Sequence, residues 1–218
     1  MYLIGLTGNI ATGKSSVAAI LEELGARVID ADVLVHGLME PGTDVWLRIA
    51  EAFGREMLGQ GGNIDRSKLA ALVFSDPEAL RRLEWIAHPA VGAEVERILH
   101  RIEEEGSGNG GASDGEEGLH EPVAVLEAIK LLESGLAEEC DVVWVVVAPR
   151  EVQIERLMRT RGLSSSEAAM RIDAQPPQEE KIESADVVIR NLGSLEQLRD
   201  QVEELWRRVV AEIAARSR

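Results

Sequence analysis

Five short apolar runs, separated by stretches with the periodicity of helices, predict an α/β fold with a five-stranded parallel sheet, doubly wound, and helices on both faces. Two observations weigh most. The run Val142–Val147 is apolar throughout, which suits a strand buried on both faces rather than one with a wet side. A glycine-rich segment, Gly8–Ser15, stands between the first apolar run and the first helical pattern, giving the order strand, loop, helix. With 218 residues the chain exceeds one average domain and falls short of two, so the sheet is expected to carry an inserted lobe and a lid.

Tyr2–Thr7 reads as the first strand, and Ser15–Leu24 as a helix that Gly25 stops. Arg27–Asp30 is a second strand; apolar positions Val33, Leu34 and Leu38 follow, and past the Pro41-Gly42 break a helix is expected over Val45–Phe53. From there to residue 104 no strand is expected. Asp76-Pro77 reads as an N-cap with proline in the first helical position, and Pro89 restarts a helix that runs towards Glu105, because proline lacks a donor and is best tolerated at a helix start. Residues 105–121 contain Gly-Ser-Gly-Asn-Gly-Gly-Ala-Ser-Asp-Gly and no large apolar side chain before Leu119, so a flexible surface loop is expected.

Pro122–Glu127 is a third strand, ending on a carboxylate, and Asp141–Val147 is the fourth. Pro149–Arg161 is helical, and Ser164-Ser165-Ser166-Glu167 forms a capping box that opens a helix through Ile172. Asp186–Ile189 is the last strand, and Ser194-Leu195-Glu196-Gln197 caps a long amphipathic helix to the C-terminus. The expected division, within one domain, is a core of 1–33 and 122–218, a helical lobe at 34–104, a loop at 105–121 and a helical lid at 150–176.

Apolar residues make up 45% of the chain and charged residues 28%, with a mean hydropathy near zero, a profile able to bury a sizeable core. The single cysteine, Cys140, cannot form an internal bridge, and no cationic-then-apolar leader opens the sequence. No apolar stretch approaches the ~20 residues of a membrane helix. A cytoplasmic protein without a membrane partner is expected. Acidic residues outnumber basic ones 39 to 23, and the net charge of −16 repels nucleic acid in the absence of a segregated basic patch. Lysine occurs only at positions 14, 68, 130 and 181, which makes a lysine in a glycine-rich loop stand out.

That loop, Gly8-Asn9-Ile10-Ala11-Thr12-Gly13-Lys14-Ser15, matches G-x-x-x-x-G-K-[ST] between a predicted strand and a predicted helix, the context in which the pattern forms a phosphate loop. Its glycines let the backbone turn its N–H groups onto a phosphate, the helix dipole adds positive potential, Lys14 neutralises the β and γ oxygens, and Ser15 ligates Mg²⁺. Nucleoside triphosphate binding on a P-loop core follows. Asp30 and Asp32 stand at the carboxyl end of the second strand, where an open α/β sheet faces its ligand. One is expected to cap the next helix and the other, Asp32, to orient an acceptor hydroxyl. Glu127 ends the third strand, where a carboxylate of the Walker B type holds the Mg²⁺ shell; a solvent-facing glutamate is the plain reading of the same residue. Arg156, Arg159, Arg161 and Arg171 fall on two helices hinged at Gly162, a pattern that suits a closing lid with one or two phosphate contacts. His36, His100 and His120 lack ligand partners at metal spacing, so no zinc or iron site is expected.

The phosphate loop, Asp30-Ala31-Asp32, Ile64-Asp65-Arg66, Leu83-Glu84 with His88-Pro89, Leu131–Leu136, Arg156–Arg161, Gln175, and Ala185-Asp186 through Asn191 follow one another in this order. In that ordered set the chain resembles the dephospho-CoA kinases along nearly its whole length. The resemblance implies ATP- and Mg²⁺-dependent phosphorylation of the ribose 3′-hydroxyl of dephospho-CoA, the last step of coenzyme A synthesis. It implies Asp32 as the catalytic aspartate, beside Lys14 and Arg156, and Ala11, Thr12, Gly13, Lys14, Ser15 and Ser16, after Gly8, as the ATP-binding stretch. It implies 34–104 as the CoA-binding lobe, with Arg66 and His88 at the substrate, and Asn191 near the adenine. The chain carries His36 where the family usually has arginine, and Ile129-Lys130-Leu131-Leu132-Glu133 where it usually reads Pro-Leu-Leu-hydrophobic-Glu; Lys130 reads as a helix-surface lysine. A monomer is expected, with an oligomer left open.

Two other readings stand beside it. The phosphate loop does not encode the acceptor, so a kinase acting on another small-molecule hydroxyl shares these features, and a nucleotide-gated binding protein shares the loop alone. No Asn-Lys-x-Asp guanine motif is present, and the arginine-bearing lid favours transfer over switching.

Overall fold

The computed structural model describes residues 1–108 and 121–216. Its strands are β1 (Tyr2–Thr7), β2 (Arg27–Asp30), β3 (Val123–Glu127), β4 (Val142–Val147) and β5 (Val187–Arg190). Its helices are α1 (Lys14–Glu23), α2 (Ala31–Leu38), α3 (Asp44–Phe53), α4 (Arg66–Ser75), α5 (Pro77–Gly108), α6 (Arg150–Arg161), α7 (Ser165–Asp173), α8 (Gln178–Glu183) and α9 (Leu195–Arg216). The strands form one parallel sheet in the order β2-β3-β1-β4-β5. The chain leaves β1 towards β2, then crosses from β3 to β4 on the other side of β1. The direction of winding therefore reverses between β1 and β3, which opens a crevice outside their carboxyl ends.

Side chains alternate across each strand. Tyr2, Ile4 and Leu6 of β1 meet Val17 and Leu21 of α1 and Val202, Trp206 and Ile213 of α9 in one core. On the opposite face β1 has no room for a side chain at Gly5, where a Cβ would stand 2.7 Å from Leu131 Cδ2 and 2.8 Å from Cys140 Sγ. Packing divides the chain into two compact units, Met1–Ile29 with His100–Arg218, and Asp30–Leu99. The second unit has its own core, built from Val45, Ile49 and Phe53 of α3 with Ile64, Leu69, Ala79 and Ile86. Among the described residues no helix is long and apolar enough to cross a membrane.

Two expectations need correction here. Pro89 does not restart a helix; it lies inside the 32-residue α5. The proline forfeits one helical hydrogen bond, but Ile86, Ala87, Val91 and Val95 are buried on both sides of it, and that continuous apolar face keeps the helix whole. The loop expected from residue 105 is helical through Gly108. Gly106 permits this extra turn, because a Cβ there would press 3.0 Å from Pro122 Cγ at the entry to β3; residues 109–120 of the expected loop lie outside the described residues. Helix α8 had no expectation at all.

Candidate active site

The loop between β1 and α1 reaches its shape through left-handed backbone at two kinds of residue. Gly8 has φ 149 and Gly13 φ 102, which glycine adopts readily, and Ala11 has φ 59, which an L side chain rarely does. Gly13 is also spatially required, since a Cβ would collide with Asn191 Nδ2. Thr12 Oγ1 donates to the Asn9 carbonyl at 2.9 Å, and the Ser16 N–H donates to the Gly13 carbonyl at 3.1 Å. Lys14, buried at the start of α1, donates from Nζ to the Gly8 carbonyl at 2.9 Å, so its charge stands over the mouth of its own loop.

Across the crevice β3 ends on Glu127, which pairs in register with Leu6 of β1. Glu127 is buried, 7% exposed, and its Oε1 accepts from Ser15 Oγ at 3.2 Å. A hydroxyl and a buried carboxylate at this separation are hard oxygen donors of the kind Mg²⁺ takes, an ion that keeps several of its waters and needs few protein ligands. The residues present therefore fit the ion.

The outer side of the loop is held by two side chains. Arg156 of α6 donates from Nη1 to the carbonyls of Ala11 and Thr12 at 3.2 and 3.0 Å, and from Nη2 to Asn191 Oδ1 at 2.9 Å. Asn191, just past β5, donates from Nδ2 to the same Thr12 carbonyl at 2.8 Å. Burial, and then the neighbouring Arg159 guanidinium, pull the Arg156 pKa below the ordinary arginine value. Helices α6 and α7 rest on the loop as well, with Leu157, Ala168 and Ile172 packed against Ile10 and Ala11.

A family model described as dephospho-CoA kinase matches residues 2–197. The chain belongs to the dephospho-CoA kinase family. It is 44% identical over 206 residues to a dephospho-CoA kinase of Geobacter sulfurreducens, covering 94% of this chain and 98% of that one. It is 45% identical over 207 residues to one of Symbiobacterium thermophilum, covering 95% of this chain and 81% of that one. Among solved structures it is similar to the dephospho-CoA kinase from Campylobacter jejuni, with a TM-score of 0.66 and 26% identity over 96% of this chain and 98% of that one. Members of the dephospho-CoA kinase family are ATP-dependent kinases on a P-loop fold.

Of the residues expected at the site, Gly8, Ala11, Thr12, Gly13, Lys14, Ser15, Ser16, Glu127, Arg156 and Asn191 all stand in the first unit, at the carboxyl edge of the sheet. Asp32, Arg66 and His88 stand in the second, on α2, α4 and α5. Asp30 is the N-cap of α2 and accepts from the Val33 N–H at 3.0 Å, and Asp32 stands exposed in the first turn of that helix. Arg66 is exposed and His88 half-buried. Arg156, expected in the catalytic set, has its guanidinium on the Ala11 and Thr12 carbonyls and on Asn191. Lys130 stands in the turn after β3, not on a helix.

Sequence reasoning missed the segment that ties the loop down from the α7 side. Gln175 Oε1 accepts the Ile10 N–H at 2.7 Å, and Asn9 Nδ2 donates to the Pro176 carbonyl at 2.8 Å. Gln175 belonged to the family pattern, but nothing in a sequence says which backbone amide a glutamine will reach.

Proposed function

We propose that this chain transfers the γ-phosphoryl group of ATP to the ribose 3′-hydroxyl of dephospho-CoA, giving coenzyme A and ADP. The observation that carries the proposal is the coincidence of the family match over residues 2–197 with a phosphate loop in which Lys14 reaches back to the Gly8 carbonyl and Ser15 reaches Glu127 at the end of β3.

Lys14 and the loop amides hold the β- and γ-phosphates, and Ser15 with Glu127 holds Mg²⁺. The ion supplies neutralisation of the charge shared between β- and γ-oxygens. Asp32 orients the acceptor hydroxyl and takes its proton as the new P–O bond forms and the bond from the γ-phosphorus to the ADP oxygen breaks. Since the transition state is loose, alignment of the acceptor matters more than the strength of the base. Asp30 caps α2 with its side chain, and Asp32, exposed in the first turn of that helix, is assigned this role. Arg156 and Asn191 keep the loop in shape from behind, with Asn191 on the adenine side. The unit Asp30–Leu99, carrying Asp32, Arg66 and His88, is read as the substrate lobe, and 150–176 as the lid.

Asp32→Ala tests the assignment. It is expected to keep ATP affinity and the folded-state circular dichroism while turnover falls by about 10²–10⁴-fold, the usual range for removing a positioned proton acceptor. Near-native turnover in a folded variant contradicts it.

A further inference from the structure

Lys181 of α8 is buried, 4% exposed, and donates to three acceptors: the Ile129 carbonyl at 2.8 Å and Glu133 Oε1 and Oε2 at 3.0 and 3.2 Å. The same Ile129 carbonyl accepts a second hydrogen bond, from Thr7 Oγ1 at 3.1 Å. Both lone pairs of one carbonyl are thus filled, one by the last residue of β1 and one by an ammonium. Thr7 directly precedes Gly8, whose carbonyl receives Lys14, and Ile129 follows Glu127 by two residues. The backbone here also continues the sheet ladder, with the Ala128 N–H on the Leu6 carbonyl at 3.1 Å.

Upstream in the same segment Gln175 and Pro176 hold Ile10 and Asn9. Gln178 caps both the N–H and the carbonyl of Ala148, at the end of β4, at 3.1 and 3.0 Å. The stretch 175–181 therefore fastens the phosphate loop at one end and the turn after β3 at the other. Stability alone does not call for a lysine at this site, because desolvating an ammonium is costly and a well-packed apolar residue often serves as well. What an ammonium adds is a fixed position for the carbonyl it binds.

We propose that Lys181 is a positioning residue for the phosphoryl transfer. It pins the Ile129 carbonyl against Thr7, and thereby sets Glu127 at the distance from Ser15 that the site requires; Glu133 is its counter-ion. The inference rests on the reading of Ser15 and Glu127 as the Mg²⁺ side of the site.

The test compares Lys181→Met, Lys181→Arg and Thr7→Val with Val209→Ala, a core truncation in α9 that reports loss of stability alone. Two quantities are read: kcat with its dependence on Mg²⁺ concentration, and the rise in melting temperature that Mg²⁺ adds to that given by ATP in EDTA. In Lys181→Met kcat is expected to fall about 10–100-fold, the scale of a misplacement near 1 Å. Half-saturation by Mg²⁺ moves to higher concentration, the Mg²⁺ increment in melting temperature shrinks, and ATP binding in EDTA is unchanged. Lys181→Arg recovers part of the loss. Thr7→Val gives the same signature, and carries the test if Lys181→Met does not fold.

Variants that melt earlier, as Val209→Ala does, but keep wild-type kcat and the wild-type Mg²⁺ increment overturn the inference. The melting increment is read without acceptor. It therefore still decides the role of Lys181 if the wild-type enzyme fails to phosphorylate dephospho-CoA, a failure that belongs to the proposed acceptor instead.

Discussion

Arg156 and Asn191 share the work of holding Thr12, and each is also bound to the other. Replacing Asn191 with alanine removes two hydrogen bonds at once and leaves the guanidinium of Arg156 short of an acceptor. Hydrogen bonds to charged groups contribute about 1.5–3 kcal/mol, so Asn191→Ala is expected to raise the KM for ATP by about tenfold in steady-state kinetics. Lys14→Met is a more severe change. With its ammonium gone, the transferring phosphoryl group loses one preorganised positive charge at the loop mouth, and kcat is expected to fall by about 10²–10³-fold, as for loss of one such donor. Lys14, Ser15 and Glu127 were legible in the sequence because their chemistry demands a fixed local spacing or a strand end. The direction of Arg156 was not, because a sequence records a charge without saying whether phosphate or backbone carbonyls receive it.

At the scale of elements, the five strands were legible because each is a short apolar run bounded by turn residues, and the capping box at Ser164 and Glu167 announced α7. Pro89 misled because local propensity argues for a break, while the burial of Ile86 and Val91 on either side is a tertiary fact. If the proline is merely tolerated there, Pro89→Ala should restore a donor to the Trp85 carbonyl and stabilise the protein by up to about 3 kcal/mol, seen as a higher urea midpoint. A lower midpoint would mean that packing requires the proline. Helix α8 was illegible for the opposite reason. Six residues with three glutamates and two prolines before them, Gln178–Glu183, show no apolar stripe, and the helix is secured by Gln178 and Lys181 through contacts distant in sequence.

For the whole molecule, two groups of the first unit, Cys140 and Tyr2, have their acidities shifted by burial. Burial, followed by the charges of Asp141 and Glu139, pushes the Cys140 thiol from 9.0 up to about 12. Burial and the hydrogen bond to Glu212 push the Tyr2 hydroxyl from 10.0 up to about 12. Both groups hold their protons more tightly folded than unfolded. Their contribution is complete below the unfolded values and is lost as pH rises towards the folded ones. Unfolding free energy is therefore expected to fall between pH 9 and about 12, and Cys140→Ala to make that fall shallower than in the wild type. An unchanged slope would show that the thiol titrates alike in both states.

The proposed nucleotide residues belong to one unit and the proposed acceptor residues Asp32, Arg66 and His88 to the other, so the most direct test of the proposal follows nucleotide and acceptor together. ADP release is measured with ATP and Mg²⁺, with and without dephospho-CoA, and the mixture is analysed by mass spectrometry. Acceptor-dependent ADP together with a product one phosphate heavier than dephospho-CoA is the expected result. ADP formation indifferent to the acceptor, or ATP binding with no phosphorylated product, would contradict the assignment of dephospho-CoA as substrate.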